Sequence, residues 1–153
     1  MAMRVLLRHA LSPSTRTLVA AAQRRTLSTG AATFDFMSIQ PTFSIKDWAK
    51  ATPIMERFVA VTDSEKGCLY YGWTKTADKL FCREAYVDAA GVLEHLGNVG
   101  PLVGELLADP EVATLDEIQL HGPAAEVAKC KEGMDPLGTV YFEVHSGFQK
   151  FVR

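Results

Sequence analysis

Between Cys68 and Leu96 the chain reads as two β-rich runs, "CLYYGWTK" and "KLFCREAYV", joined by Thr76, Ala77 and Asp78 and leading through Asp88 into the helical stretch "AAGVLEHL". So short a link makes the two runs an antiparallel hairpin. An aspartate directly after the second strand caps a helix that starts at once. Counting back from Lys75 opposite Lys79 places Cys82 near Gly72 and Cys68 near Tyr86. On the second strand Leu80, Cys82, Glu84 and Tyr86 share one face, and Phe81, Arg83 and Ala85 share the other, because side chains alternate. After Asp88, Val92, Leu93, Leu96 and Val99 form the apolar stripe of the helix.

The flanking segments supply the rest of one unit. "FMSIQPTFSI" alternates as a strand, and Pro41, which lacks an N–H, suggests an edge or an end of regular pairing. Trp48, Ala51, Ile54, Met55, Phe58 and Val61 recur at helical spacing behind a start at Ser44 and Asp47, with Gly67 as terminator; Pro53 either kinks this helix or restarts it. Gly100 and Pro101 break the helix that holds His95, making "PLVGELLA" a second, short one. "ATLDEIQLHG" is a strand with Ile118 and Leu120 inward, "PAAEVAKCKEGM" a short helix with Pro123 in its first turn, and "GTVYFEVHSGF" a closing strand alternating Val140, Phe142 and Val144. The class is α+β: a ferredoxin-like β-α-β-β-α-β antiparallel sheet with helices on one face. Apolar residues on the other face, as Tyr71, Trp73 and Phe81 suggest, would call for a partner, and a symmetric homodimer supplies one.

Charge separates the chain of 153 residues into two parts. Residues 1–33 hold five arginines and no acid, and without them 11 Lys+Arg stand against 18 Asp+Glu, a net charge of −7. The first part, Ser/Thr-rich with an amphipathic "MRVLLRHAL" and a processing-like "RRTLSTG", reads as a mitochondrial targeting presequence, directed to the matrix, with a plastid address as the alternative. Residues 34–153 are the domain. Its acidic balance speaks against nucleic acid, and no apolar run reaches the length of a membrane span. Cys68, Cys82 and Cys130 form no C-x-x-C pair, and His9, His95, His121 and His145 have no metal-ligand spacing, so neither a disulfide framework nor a metal is expected. His121 and His145 are placed near loops at the surface.

Three polar groups could converge where sheet meets helix. With Val92 at zero on a helical wheel, the stripe of four centres near ~30° and His95 falls at about −60°, at its boundary, where it could titrate and accept a phenolic proton or bond a backbone carbonyl or Glu94. Glu84, mid-strand, needs a partner if buried: Lys75, His95 or the neighbourhood of Arg83. Tyr70, Tyr71, Trp73 and Tyr86 could line a pocket for a flat molecule, or serve as core or interface.

"EKGCLYYGW" resembles the acidic-x-Gly-Cys-Leu-x-Tyr turn that enters the second strand of antibiotic biosynthesis monooxygenase (ABM) domains, and "REAYVDAAGVLEHL" resembles their E-x-aromatic-x-D…H signature. The resemblance runs from Phe36 to Val144 and implies a dimeric α+β barrel with a small pocket between sheet and helices. It also implies cofactor-independent monooxygenation of a small aromatic or quinol-type substrate with O2. The catalytic candidates are then His95, Tyr86 and Glu84, with Tyr71, Trp73, Phe58 and Leu96 binding substrate. Tyr86 stands where relatives commonly carry tryptophan. Haem-degrading relatives use an asparagine on the first strand, and "MSIQPTFSI" has none. The alternatives are a non-catalytic dimeric barrel that binds a ligand or serves assembly, and haem binding as a third.

Overall fold

The computed structural model describes residues 34–148, so the expected presequence lies outside the described residues. The elements are β1 (Met37–Ile45), α1 (Trp48–Thr62), β2 (Cys68–Lys75), β3 (Lys79–Tyr86), α2 (Ala89–Leu106), β4 (Ala113–Gly122), α3 (Ala124–Met134), a short turn of helix at Asp135–Leu137, and β5 (Val140–Glu143). The sheet order is β2-β3-β1-β4-β5, which is the expected ferredoxin-like α+β arrangement with a fifth strand. Three pairings are antiparallel and β4–β5 is parallel, so the sheet is mixed rather than antiparallel throughout. The crossover through α3 returns β5 in the direction of β4, which a hairpin could not do.

Local chemistry explains the element ends. Asp47 accepts from the Lys50 N–H at 3.1 Å and caps α1, while Ser44 remains in β1 and bonds Asp116. Asp88 caps α2 through the Gly91 N–H at 2.9 Å. Neither Pro53 nor Pro101 breaks its helix. Each removes the N–H that would bond the carbonyl four residues back, at Ala49 and Gly97, and both of those residues are exposed, so water can take the carbonyl. Pro41 lies in the central strand, not at an edge, beside the register shift between Thr42 and Phe43. Gly67 does not end α1, which stops at Thr62.

All three helices cover one face of the sheet and divide the core in two. Phe43, Ile45 and Leu80 pack with Ala51, Ile54 and Phe58 of α1 and with Val99, Leu102 and Leu106 of α2. Met37, Ile39, Tyr86 and Leu120 pack with Val92 of α2 and with Val127, Cys130 and Met134 of α3. Each fully buried side chain of this kind contributes about 1.5–3 kcal/mol. Helix α2 alone serves both clusters, with Val92 in one and Val99 in the other, and His95 lies on the turn between them. Val140 and Phe142 are exposed on the opposite face of the sheet, and Leu93, expected in the apolar stripe of α2, is exposed on its helix.

The hairpin register differs from the count by one residue: Lys75 pairs with Leu80, Trp73 with Cys82 and Tyr71 with Glu84. A slip of one residue exchanges the faces of a whole strand. Tyr71 and Trp73 therefore lie on the helix-covered face and not, as the count suggested, on the open one. Cys68 still pairs with Tyr86 because the register shifts between Cys68 and Tyr70. No described helix is long and apolar enough to cross a membrane.

Candidate functional site

The site is built where the two core clusters meet. Its anchor is a close approach of glycines: a Cβ on Gly67 would stand 2.9 Å from the Gly91 Cα, so only glycine there lets the turn before β2 lie against the start of α2. The Gly67 carbonyl also accepts from the Val87 N–H at 2.9 Å. That contact carries Glu65, two residues before Gly67, over the next turn of α2 and against His95. The turn itself closes through the Glu65 N–H on the Thr62 carbonyl at 3.0 Å.

His95 is buried, with 3% of its surface exposed, and is not the boundary residue the wheel suggested. Its Nδ1 lies 3.0 Å from Glu65 Oε2, and its Nε2 lies 3.1 Å from Glu84 Oε2, close but not aligned as a hydrogen bond. Tyr86 donates its hydroxyl proton to the same Glu84 oxygen, and Asn98 donates to Glu65 Oε1 at 3.0 Å. The three side chains Glu65, His95 and Glu84 are thus a continuous buried line, with side-chain exposures of 2–4%. Two carboxylates around one imidazole in an apolar surrounding cannot all be desolvated as ions at low cost. Burial accordingly raises Glu84 from 4.5 to about 8, against the lowering effect of the Tyr86 hydrogen bond. Burial lowers His95, and the Glu65 carboxylate partly offsets it. Tyr71, Cys82 and Tyr86 are all pushed up by burial and by neighbouring acids, so they stay protonated. Burial thus holds both Glu84 and His95 toward their neutral forms.

A cavity of about 60 Å³ opens from this line between the sheet and the helices. Glu84 and His95 form its polar wall, and Phe58, Tyr71, Trp73 and Leu96 are among its apolar walls. All four residues expected to bind substrate therefore surround one space. Tyr86, expected among the catalytic residues, does not line it: it is fully buried behind Glu84 and acts on the site through that carboxylate. Tyr70 is exposed away from the cavity. The rings of Tyr71, Trp73 and Phe58 meet edge to face at 5.6–5.7 Å, and Trp73 Nε1 is buried without a protein partner. At this volume the cavity takes O2 or water as it stands, whereas a ring needs nearer ~150 Å³. Leu137, 41% exposed, is the lining residue whose displacement toward solvent would enlarge it.

Glu65 and Asn98 are functional candidates that sequence reasoning missed. Glu65 is the acid of the quoted "EKGC" turn, and Asn98 follows His95 by three residues on one helix face, so both had a visible signal. Neither Arg83 nor Lys75 reaches Glu84; Arg83 is exposed on the other face of β3. His145 is exposed as expected, while His121 is half-buried and stacks on Phe142 with ring centres 4.5 Å apart. Among the described residues no group of three His, Cys, Asp or Glu side chains is placed to hold a metal ion.

No family model and no curated protein matches the chain. Among solved structures it is similar to MupZ from Pseudomonas fluorescens, with 27% identity over 81% of this chain and 96% of that one, and a TM-score of 0.72. SnoaB, a cofactor-independent oxygenase from Streptomyces nogalater, aligns over 56% of this chain and 90% of its own at 16% identity, with a TM-score of 0.49. The element order, the acid–aromatic–Asp…His run from β3 into α2, and the likeness to MupZ make this an ABM-like α+β protein in fold.

Proposed function

We propose that the protein is a cofactor-independent monooxygenase of a small phenol or quinol, with His95 and Glu84 as the proton acceptor and O2 as the oxidant. The observation that carries this reading is the cavity itself, whose polar wall is a buried Glu84–His95 pair 3.1 Å apart and whose other walls are aromatic and aliphatic. A neutral phenol is a poor reductant and a phenolate a good one, so removing the hydroxyl proton is the step the protein must supply. Glu84 at about 8 is matched to that task in a weakly alkaline compartment. The phenolate then reduces O2 by one electron, the radical pair joins as a carbon peroxide, and loss of water leaves a quinone. Phenol plus O2 gives quinone plus water, so one oxygen atom enters the product and the hydrogens leave with the other. Trp73 Nε1 offers a donor to a ligand oxygen inside the cavity. Tyr86 is a positioning residue that holds the Glu84 carboxylate.

Purified protein supplied with naphthol-type quinols and ¹⁸O2 should place one labelled atom in the quinone. His95→Ala should lower turnover at least 100-fold while the far-ultraviolet circular dichroism stays that of the folded chain. Turnover at the wild-type rate in the variant would sink the enzyme reading and leave the non-catalytic barrel. A single ring already requires this cavity to open beyond its present volume of about 60 Å³, and a porphyrin requires far more, which ranks haem behind both. The reading also includes a homodimer and, from residues 1–33, a mitochondrial address. That address is checked by whether the segment alone carries a fluorescent reporter into mitochondria.

A further inference from the structure

The acid on the far side of His95 is not explained by a proton acceptor for the cavity. Glu84 alone could take a phenolic proton, yet the chain also places a second buried carboxylate, Glu65, on the opposite nitrogen of the imidazole, with Nδ1 3.0 Å from Oε2. The two ends of the line open on different spaces. Glu84 lines the apolar cavity, and Glu65 does not. Glu65 instead lines a second, more polar cleft of about 220 Å³, together with Thr62, Asp63 and Cys68. The walls of that cleft include Val59, Leu69 and Tyr70, each 40–47% exposed, so it is in contact with solvent. The Thr62 hydroxyl is buried in the same cleft without a protein partner.

We propose that Glu84, His95 and Glu65 form a proton relay that connects the closed apolar cavity to the solvent-facing cleft. The inference rests on the reading of the cavity as a phenol site and names the exit that such a site requires. On ionisation the ligand O–H bond breaks and its proton goes to the Glu84 carboxylate. Once the protonated Glu84 carboxyl turns into line with Nε2, 3.1 Å away, a proton passes to that nitrogen, the proton on Nδ1 passes to Glu65, and Glu65 yields it to water in the cleft. No oxidant takes part, and the charge left in the cavity is the phenolate. When the peroxide later loses its outer oxygen as water, the same path runs inward and restores the starting tautomer of His95. The other titratable groups facing the line are Tyr86 and Cys82 from β3 and Tyr71 and Cys68 from β2, all with raised values, so none competes for the proton. Asn98 of α2 fixes the remaining Glu65 oxygen.

The test reads the relay without any ligand. In the full chain labelled with ¹⁵N-histidine, the exchange of the His95 ring N–H with water is measured by NMR at several pH values. Glu65→Gln keeps an oxygen for Nδ1–H to bond but cannot carry the proton, and it should slow that exchange at least tenfold; Glu65→Asp, which keeps a carboxylate, should bring it back to within about threefold of wild type. Exchange in Glu65→Gln at the wild-type rate, in a protein with unchanged circular dichroism, overturns the relay. If Glu65→Gln does not fold, the aspartate variant decides: exchange slowed tenfold despite a retained carboxylate also overturns it. A second arm adds 4-nitrophenol and follows its ionisation by absorbance. Failure of that phenol to bind or ionise counts against the cavity as a phenol site, and the exchange rates then still decide for or against the relay.

Discussion

Glu84 is the residue at which structure and chemistry conflict most, and the conflict has a measurable sign. A carboxyl raised from 4.5 to about 8 holds a proton in the native state that the unfolded chain has released. Its contribution to stability is complete below 4.5 and is lost as the pH rises through 8. His95, lowered from 6.5, acts oppositely: the unfolded chain binds a proton that the native one refuses, and stability rises with pH until about 6.5. Just below 6.5 the two slopes oppose, and from 6.5 to 8 only that of Glu84 remains. One proton contributes about 1.4 kcal/mol per pH unit, so the wild-type protein should be roughly 2 kcal/mol less stable at pH 8.5 than at pH 6.5. Urea unfolding at the two pH values measures this, and Glu84→Gln, neutral at both, should abolish the difference. An equal fall in the variant would mean that the slope arises elsewhere.

At the scale of elements, the sequence was most legible where a local signal and the tertiary structure agree. The two aspartate caps are of this kind, since each places a carboxylate at a point where the backbone leaves N–H groups without partners. The face of β3 was legible too, because alternation along one strand needs no partner to define it. Pairing between strands was less so: the hairpin count missed by one, and that single step moved Tyr71 and Trp73 from the cavity wall to the opposite face. Prolines misled in the other direction. Stopping α2 at Pro101 removed Leu102 and Leu106 from the stripe, and the exposed Leu93 pulled its centre away from His95. With Ala89, Val92, Val99, Leu102 and Leu106 as the buried set, His95 occupies a core position of the helix. The partner of its Nδ1 was hidden for a different reason. Glu65 reaches it across 30 residues of chain, and only the tight Gly67–Gly91 contact brings the turn there, which no periodicity records.

At the scale of the whole molecule, the outstanding physical demand is the sheet face that the helices leave uncovered. It presents Tyr70, Val140 and Phe142, each 41–43% exposed, beside the half-buried Phe81 and the polar side chains of Gln40, Thr42 and Gln119. Five strands about 4.8 Å apart and roughly 26 Å long make a face of roughly 600 Å², a footprint in scale with the ~800 Å² of accessible surface that a standard interface buries on each partner. A second copy docked on this face by a two-fold axis would cover all of it at once and would add a lid of sheet over the strands that carry Glu84. The full chain, 16.8 kDa, should therefore sediment at twice that mass at micromolar concentration. Phe142→Asp places a charge on the β5 side of this face without touching the core, since Phe142 is exposed and stacks on the His121 ring. It should shift the protein to monomer with unchanged circular dichroism. A wild-type chain that sediments as a monomer at tens of micromolar, or a variant that remains dimeric, would show that this face is not where two copies meet.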